Sequence, residues 1–464
     1  MKIFPPEEHI KLYEEGFGED DLLHRKNVGK ALSSLVDRID DPLVIALNGN
    51  WGTGKTHFLK RWVGAHSLEN GSSGTTVYFD AFANDYLSDP LPALVDAIAG
   101  RLPEEKADKV QKIKEVAFKL AKPMARIGLA LATYGASVSL NQLGDVAAKA
   151  AAKEINIGLE EYWQEHTGRR LAMEEFRATI EDLALPADDE ANGASLVFVI
   201  DELDRCRPDY ALEVLEIIKH FFSVPHVHFV LGVNISVLEE SVRARYGDNI
   251  DGRAYLKKFI QLYLELPNEI KISNQNKNIN FVYLDNLIKQ MEVPYHIAKV
   301  LANSIKSMSD GNKISMRDIG KVVSKFALLN AEVLNKETIY PGWIIVMVDL
   351  VISQAVKPEL FEKFLYATIS DVDMRSYFGV NFEMLKQYAN GESVTHLDNH
   401  ACVRYKCWSY IINAEEFDNE HPDFKKFIQS KFHRHGLQID GKGLPLRIYK
   451  EWIQQISFYN PKPD

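Results

Sequence analysis

Residues 49–56 read Gly-Asn-Trp-Gly-Thr-Gly-Lys-Thr, directly after the apolar run Leu43–Leu47 and before Phe58, Leu59, Trp62 and Val63 at helical spacing. A buried strand, a glycine-rich turn and a helix in that order admit few folds. Glycines at 49, 52 and 54 let successive backbone N–H groups turn inward, along a tight and partly left-handed path that a Cβ would obstruct. The pattern GxxxxGK[ST] is a phosphate cradle. Lys55 supplies a point charge to the outer phosphates, Thr56 a hydroxyl for Mg²⁺, and the helix N-terminus a favourable dipole. Gly49, Asn50, Trp51, Gly52, Thr53, Gly54, Lys55, Thr56 and His57 are therefore the candidate nucleotide contacts, with ATP and Mg²⁺ as the implied cofactors.

A second motif follows from the run Val197-Phe198-Val199-Ile200-Asp201-Glu202-Leu203-Asp204-Arg205-Cys206. A buried strand that ends in two carboxylates brings Asp201 within reach of a metal on Thr56 and directs Glu202 toward an attacking water. Asp201 and Thr56 are thus the expected metal ligands and Glu202 the expected base. The next strand ends at Val233, so Asn234 could sense the γ-phosphate or cap the helix that begins at Ile235; the two roles are compatible. Arginines available to neutralise transition-state charge are Arg205, Arg243, Arg245, Arg253 and Arg317, and a finger from a neighbouring subunit is equally compatible.

A chain of 464 residues calls for two or three domains, and 46% hydrophobic with 26% charged residues is ordinary for a folded protein. Strand character is expected at Leu43–Leu47, Thr75–Asp80, Ser195–Ile200, Val227–Val233 and Phe259–Leu266, the last stopped by Pro267. The fold class expected is α/β, a P-loop NTPase core built on a parallel five-stranded sheet wound on both faces. It carries a long helical insertion at about 91–185. Beyond residue 270 the pattern turns helical throughout: a helical lid at 271–336, with Ser315 as an N-cap, then an aromatic-rich helical C-terminal interaction domain at 337–464.

The formal net charge of −11 argues against a surface dominated by nucleic-acid electrostatics. Lys425, Lys426, Lys431, Arg434, Lys442, Arg447 and Lys450 make the C-terminal end locally basic, so nucleic acid stays a secondary option. Three cysteines are too few for a disulfide scaffold, and Met1–Glu15 lacks an apolar leader core, so a cytoplasmic setting is expected. No stretch reaches the roughly 18–20 apolar residues of a spanning helix. The run Ile127–Leu140, flanked by Lys119, Lys122 and Arg126, suits a core hairpin better than a membrane-surface helix; peripheral membrane contact stays open. His396, His400, Cys402 and Cys407, with His433 and His435, match no strong zinc spacing.

Three segments together resemble the KAP family of P-loop NTPases: the Trp51-bearing phosphate loop, Asp201–Cys206, and Arg253-Ala254-Tyr255-Leu256-Lys257-Lys258-Phe259-Ile260-Gln261. The resemblance runs from Asp21 to Phe326, including Leu22-Leu23-His24-Arg25 upstream and Arg317-Asp318-Ile319-Gly320-Lys321, which looks like the arginine-bearing lid helix of related ATPases. Two departures stand out. Family members commonly read Asp-Asp-Leu-Asp-Arg where this chain has Asp201-Glu202, and their insertion often carries spanning helices that are lacking here. The resemblance implies ATP hydrolysis, Mg²⁺, and a homo-oligomer or protein partner engaged through the C-terminal domain; by analogy it implies bacterial anti-phage defence. Against the hydrolase stand a nucleotide-gated switch with little turnover and a nucleic-acid-stimulated motor or loader.

Overall fold

The computed structural model describes residues 9–19, 21–102, 104–121, 159–184, 195–272, 275–308, 314–329, 339–390, 395–414, 417, 422–432 and 441–454. The apolar run Ile127–Leu140 and residues Arg434, His433 and His435 lie outside them. Two compact units meet in sequence between Leu266 and Pro267.

In the first unit, α1 (Lys26–Arg38) leads to β1 (Leu43–Asn48), α2 (Lys55–Leu68), β2 (Thr75–Asp80), α3 (Pro90–Ala99), α4 (Ala107–Leu120) and α5 (Leu159–Ala184). Then come β3 (Leu196–Asp201), α6 (Pro208–Phe221), β4 (Val227–Val233), α7 (Ile235–Tyr246), α8 (Gly252–Leu256) and β5 (Leu262–Glu265). The five strands form one parallel sheet in the order β2-β3-β4-β1-β5. Strand alternation divides the sheet's apolar residues between two cores. Ile45, Leu47, Val197, Val199 and Val230 pack on Phe58, Leu59, Trp62 and Val63 of α2. Their neighbours Val44, Ala46, Phe198, Ile200, Phe229 and Leu231 pack on the opposite face with α3, α4, α5 and α6. There Phe198 stacks on Phe229 at 4.8 Å, with Phe222 edge-on to both. Each such buried ring contributes roughly 1.5–3 kcal/mol of transfer free energy. Leu262–Glu265 is shorter than the expected strand because Phe259 and Ile260 are used in the turn that follows α8, where both amides bond to the Leu256 carbonyl.

The second unit opens with a hairpin that the helical reading beyond residue 270 missed. β6 (Glu269–Ile272) pairs antiparallel with β7 (Gln275–Asn278). The alternation of β6, Glu-Ile-Lys-Ile, lasts only four residues and β7, Gln-Asn-Lys-Asn, has no apolar residue, so the pair carries little strand signal. Helices follow: α9 (Ile279–Gln290), α10 (Tyr295–Ser307), α11 (Met316–Ala327), α12 (Pro341–Val356), α13 (Pro358–Leu365), α14 (Asp371–Phe378), α15 (Phe382–Ala389), α16 (His396–Ile412), α17 (Pro422–Phe432) and α18 (Leu444–Ile448). Ser315 caps α11, its hydroxyl accepting the Asp318 N–H at 3.2 Å. A single hydrophobic core runs from Leu284 to Ile448, so the boundary drawn at 336 falls between helices that share it. At its centre is α12, apolar almost all round, with Asp349 fully buried. Arg404 Nε donates to Asp349 Oδ1 at 3.0 Å and Trp408 Nε1 to Oδ2 at 2.8 Å, which satisfies a carboxylate that would otherwise be prohibitive to bury.

Candidate phosphate and metal site

The site lies at the carboxyl ends of β1, β3 and β4, where the parallel sheet leaves a row of loops. Gly52 and Gly54 both adopt φ of 80°, the left-handed conformation the turn demands. Gly54 is the N-cap of α2 and offers no side chain of its own to the helix's first amides. The N–H groups at a helix N-terminus form an anion site. Thr53 Oγ1 closes the loop by donating to the Asn50 carbonyl at 2.9 Å. Lys55 is buried, and its ammonium donates to the carbonyl oxygens of Gly49 and of Asn50, the latter at 3.2 Å. His57 is exposed one residue into the helix beyond Thr56.

Arg25 buttresses the loop from behind, and motif reading had not singled it out as a site residue. Its guanidinium donates from Nη1 to the Gly54 carbonyl at 2.9 Å and from Nη2 to the Thr53 carbonyl at 2.7 Å. It is almost wholly buried, and burial pushes its pKa down to about 10, partly opposed by Asp21. The φ of Gly54 favours glycine there, and a Cβ would meet Nη1 at 2.7 Å, so any side chain would also push the Arg25 guanidinium aside. The signal available in sequence was the segment Leu22–Arg25 upstream of the first strand.

Asp201 is 1% exposed at the tip of β3. The Glu202 N–H donates to Oδ1 at 2.9 Å and the Tyr78 hydroxyl to Oδ2 at 3.1 Å, and the Thr56 hydroxyl is near enough to favour the charged carboxylate. Burial raises its pKa above the usual aspartate value, against the pull of these three groups. Gly232 stands opposite on β4, where a Cβ would collide with Oδ1 of Asp201 and with Leu59. An alcohol and a buried carboxylate close to one another at a helix N-terminus fit Mg²⁺, which takes hard oxygen ligands, commonly one or two from protein and the rest from phosphate and water. Among the described residues no group of three or more His, Cys, Asp or Glu side chains is placed to hold a metal ion. In particular His400 lies 3.2 Å from the Ser304 hydroxyl, and Cys402 and Cys407 are buried free thiols.

Glu202 leaves the strand in a left-handed conformation, φ 60° and ψ 23°. For a residue with a side chain this conformation is costly, and it breaks the alternation that would otherwise point Glu202 opposite to Asp201. Its carboxylate pairs with Arg205 Nη1 at 2.8 Å. Burial raises its proton affinity above that of a free glutamate, with Arg205 acting to lower it and Asp201, Asp80 and Asp204 to raise it. A glutamate of raised basicity suits proton abstraction. Asp204 is buried and accepts from the indole N–H of Trp51 at 2.7 Å, which ties the acidic turn to the phosphate loop.

Asn234 stands at the N-cap of α7 but makes no side-chain cap. Asn48 does this instead: its Oδ1 accepts the Ile235 N–H at 3.1 Å while its Nδ2 donates to Glu265 at 2.9 Å. Asn234 follows β4, which lies next to the Asp201 strand. Arg253 is exposed on α8, close enough to Tyr263 of β5 to influence its ionisation. Arg317 is exposed in the first turn of α11, in the second unit. Arg243 is engaged with Glu239 and Glu240 on its own helix.

No helix among the described residues is long and apolar enough to cross a membrane. No curated protein matches the chain. Among solved structures it is similar to the ORC2 protein of Aeropyrum pernix in its ADP form, at 12% identity over 96% of this chain and 87% of that one, with a TM-score of 0.33. The ADPNP–ADP complexes of that protein give 11% identity over 92% and 87%, with a TM-score of 0.32. The family model described as the KAP family P-loop domain matches residues 25–333, from the Arg25 clamp through the phosphate loop and the acidic turn to α11. The chain therefore belongs to the KAP family of P-loop NTPases.

Proposed function

We propose that this chain is a Mg²⁺-dependent ATPase in which hydrolysis drives a conformational or assembly change. The observation that carries the reading is the buried Asp201 carboxylate at the tip of β3, placed beside the helix that begins with Lys55 and Thr56, with Glu202 next in the chain. The Thr56 hydroxyl and the Asp201 carboxylate would hold the cation, which when bound neutralises phosphate charge. Lys55 and the N-terminal amides of α2 bind and orient phosphate oxygens. Glu202 takes the proton of the attacking water at its carboxylate, and its burial supports that role. Asn234 holds that water or a γ-phosphate oxygen, a reading supported by the fact that Asn48 relieves it of capping α7. Arg253 and Arg317 are proposed to neutralise developing charge, in cis or between subunits.

A lid at 271–336 and an interaction domain at 337–464 would read out the nucleotide state to a second copy or another protein. Anti-phage defence is proposed from family analogy alone. The test is steady-state hydrolysis by the purified chain. Lys55→Ala and Glu202→Gln should each lower turnover by about 10²-fold or more, as loss of a phosphate charge or a general base does. Wild-type turnover in both variants would overturn the reading.

A nucleotide-gated switch is the second reading, favoured by the ion pair that engages Glu202 with Arg205. It expects purified protein to retain nucleotide through less than one turnover, whereas the hydrolase completes many.

A further inference from the structure

Tyr78 is absent from both nucleotide motifs, yet it touches the residue on which they converge. It lies on β2, in register with Val199 of β3, two positions before the pair Asp80 and Asp201. Residues two apart on a strand share a face, so its ring lies on the same side of the sheet as Asp201 and α2. From there the hydroxyl reaches Oδ2 of Asp201 at 3.1 Å. The opposite oxygen, Oδ1, is held by the Glu202 N–H at 2.9 Å. The two carboxylate oxygens are thus fixed from two directions, one by backbone and one by a phenol.

The phenol is itself braced. Its own backbone N–H donates to the Tyr13 hydroxyl at 2.9 Å, and the Tyr13 ring lies under the Arg101 guanidinium at 4.3 Å. Arg101 in turn donates from Nε to the Thr76 carbonyl of β2 at 3.1 Å. On the α2 side, Lys60 Nζ stands 5.6 Å from the centre of the Tyr78 ring. A side chain with only two rotatable bonds, packed against the α2 core and held by such neighbours, has little freedom to release its acceptor. Outer partners of this kind orient metal-binding carboxylates and commonly matter 10–100-fold for metal affinity.

We propose that Tyr78 is a positioning residue that holds the Asp201 carboxylate in the orientation that receives the divalent cation. This rests on the metal role given to Asp201 above. Phenylalanine keeps the ring and its packing and removes only the hydroxyl, so Asp201 loses one of its fixed oxygens while the phosphate loop is untouched.

The experiment compares the full chain with its Tyr78→Phe and Asp201→Ala variants, following a fluorescent ADP analogue first in EDTA and then across a MgCl₂ titration. Tyr78→Phe should raise the Mg²⁺ concentration for half-maximal enhancement about three- to tenfold, the size expected for one lost hydrogen bond to a carboxylate, and leave metal-free affinity within about twofold. Asp201→Ala should lose the enhancement. A Tyr78→Phe titration matching wild type, or a tighter one, beside an impaired Asp201→Ala overturns the role of Tyr78 alone. Equal losses with and without Mg²⁺ would mark a merely structural residue and also overturn it. If wild type and Asp201→Ala respond to Mg²⁺ alike, the metal reading of Asp201 falls, and the inference with it.

Discussion

The indole N–H of Trp51 donates to the carboxylate of Asp204 at 2.7 Å, joining two motifs 153 residues apart in the chain. Trp51 is 47% exposed, so its ring is not there for burial; Asp204 is buried and needs a donor. Trp51→Phe should therefore cost about 1–3 kcal/mol of stability, most of it the penalty of an unpaired buried carboxylate. Asp204→Asn should cost less, since an amide can still accept. Denaturant unfolding of both single variants and the double variant checks this: coupling of about 1 kcal/mol is expected, and strict additivity would refute the link.

Gly232→Ala tests how tightly Asp201 is confined. The new methyl group would collide with Oδ1 of Asp201, which is 1% exposed, and with Leu59, which sits in packed core. We expect a loss of about 1–3 kcal/mol in stability from overpacking. Mg²⁺-dependent turnover should fall well beyond what the remaining folded fraction explains, as read by activity per folded molecule from circular dichroism.

Asn48 and Asn234 should separate structural from chemical roles. Asn48→Ala removes the cap of α7 and leaves Glu265 without its amide partner, so it should lower stability by about 1 kcal/mol. Asn234→Ala should leave the melting temperature within a degree or two, because that side chain caps nothing, while reducing turnover by about tenfold or more. Melting curves and hydrolysis rates of the two variants give the comparison; the reverse pattern would reassign the pair.

Acid should weaken both units, through the buried imidazole of His228 and the half-buried one of His400. Burial pushes the pKa of His228 on β4 down to about 4 from 6.5, and that of His400 on α16 down to about 3 from 6.5, helped by the charges of His226 and of Arg404 respectively. As pH falls below about 6.5, the unfolded chain takes up protons that the fold refuses, so stability falls until the folded-state values are reached. The slope is roughly 1.4 kcal/mol per pH unit for each such imidazole. Urea midpoints between pH 7 and pH 5 should drop in wild type and drop less in His228→Leu.

Much of the molecule is legible without coordinates because its signals are local. The strands around 43–48, 196–201 and 227–233 are apolar runs, and their two-residue alternation already contains the division into two cores. The phosphate loop is a spacing of glycines, and Ser315 is a cap with its aspartate three residues on. The antiparallel pair of 269–272 with 275–278 failed for the complementary reason: one strand alternates over only four residues and the other is wholly polar.

By itself, the sequence determined that a strand, a glycine turn and a helix would form a phosphate cradle, and that a second strand would end in Asp201 and Glu202. Those features depend on backbone preference and on burial period, which neighbours in the chain set. Tertiary structure alone decided that β4 lies between the two motif strands, which brings Gly232 rather than a bulkier residue against Asp201. It also decided that Arg25 clamps the loop, that Trp51 engages Asp204, and that Asn48 rather than Asn234 caps α7. Such pairings join residues far apart in sequence, and their energy comes from satisfying buried polar groups whose partners are fixed only once the sheet has assembled.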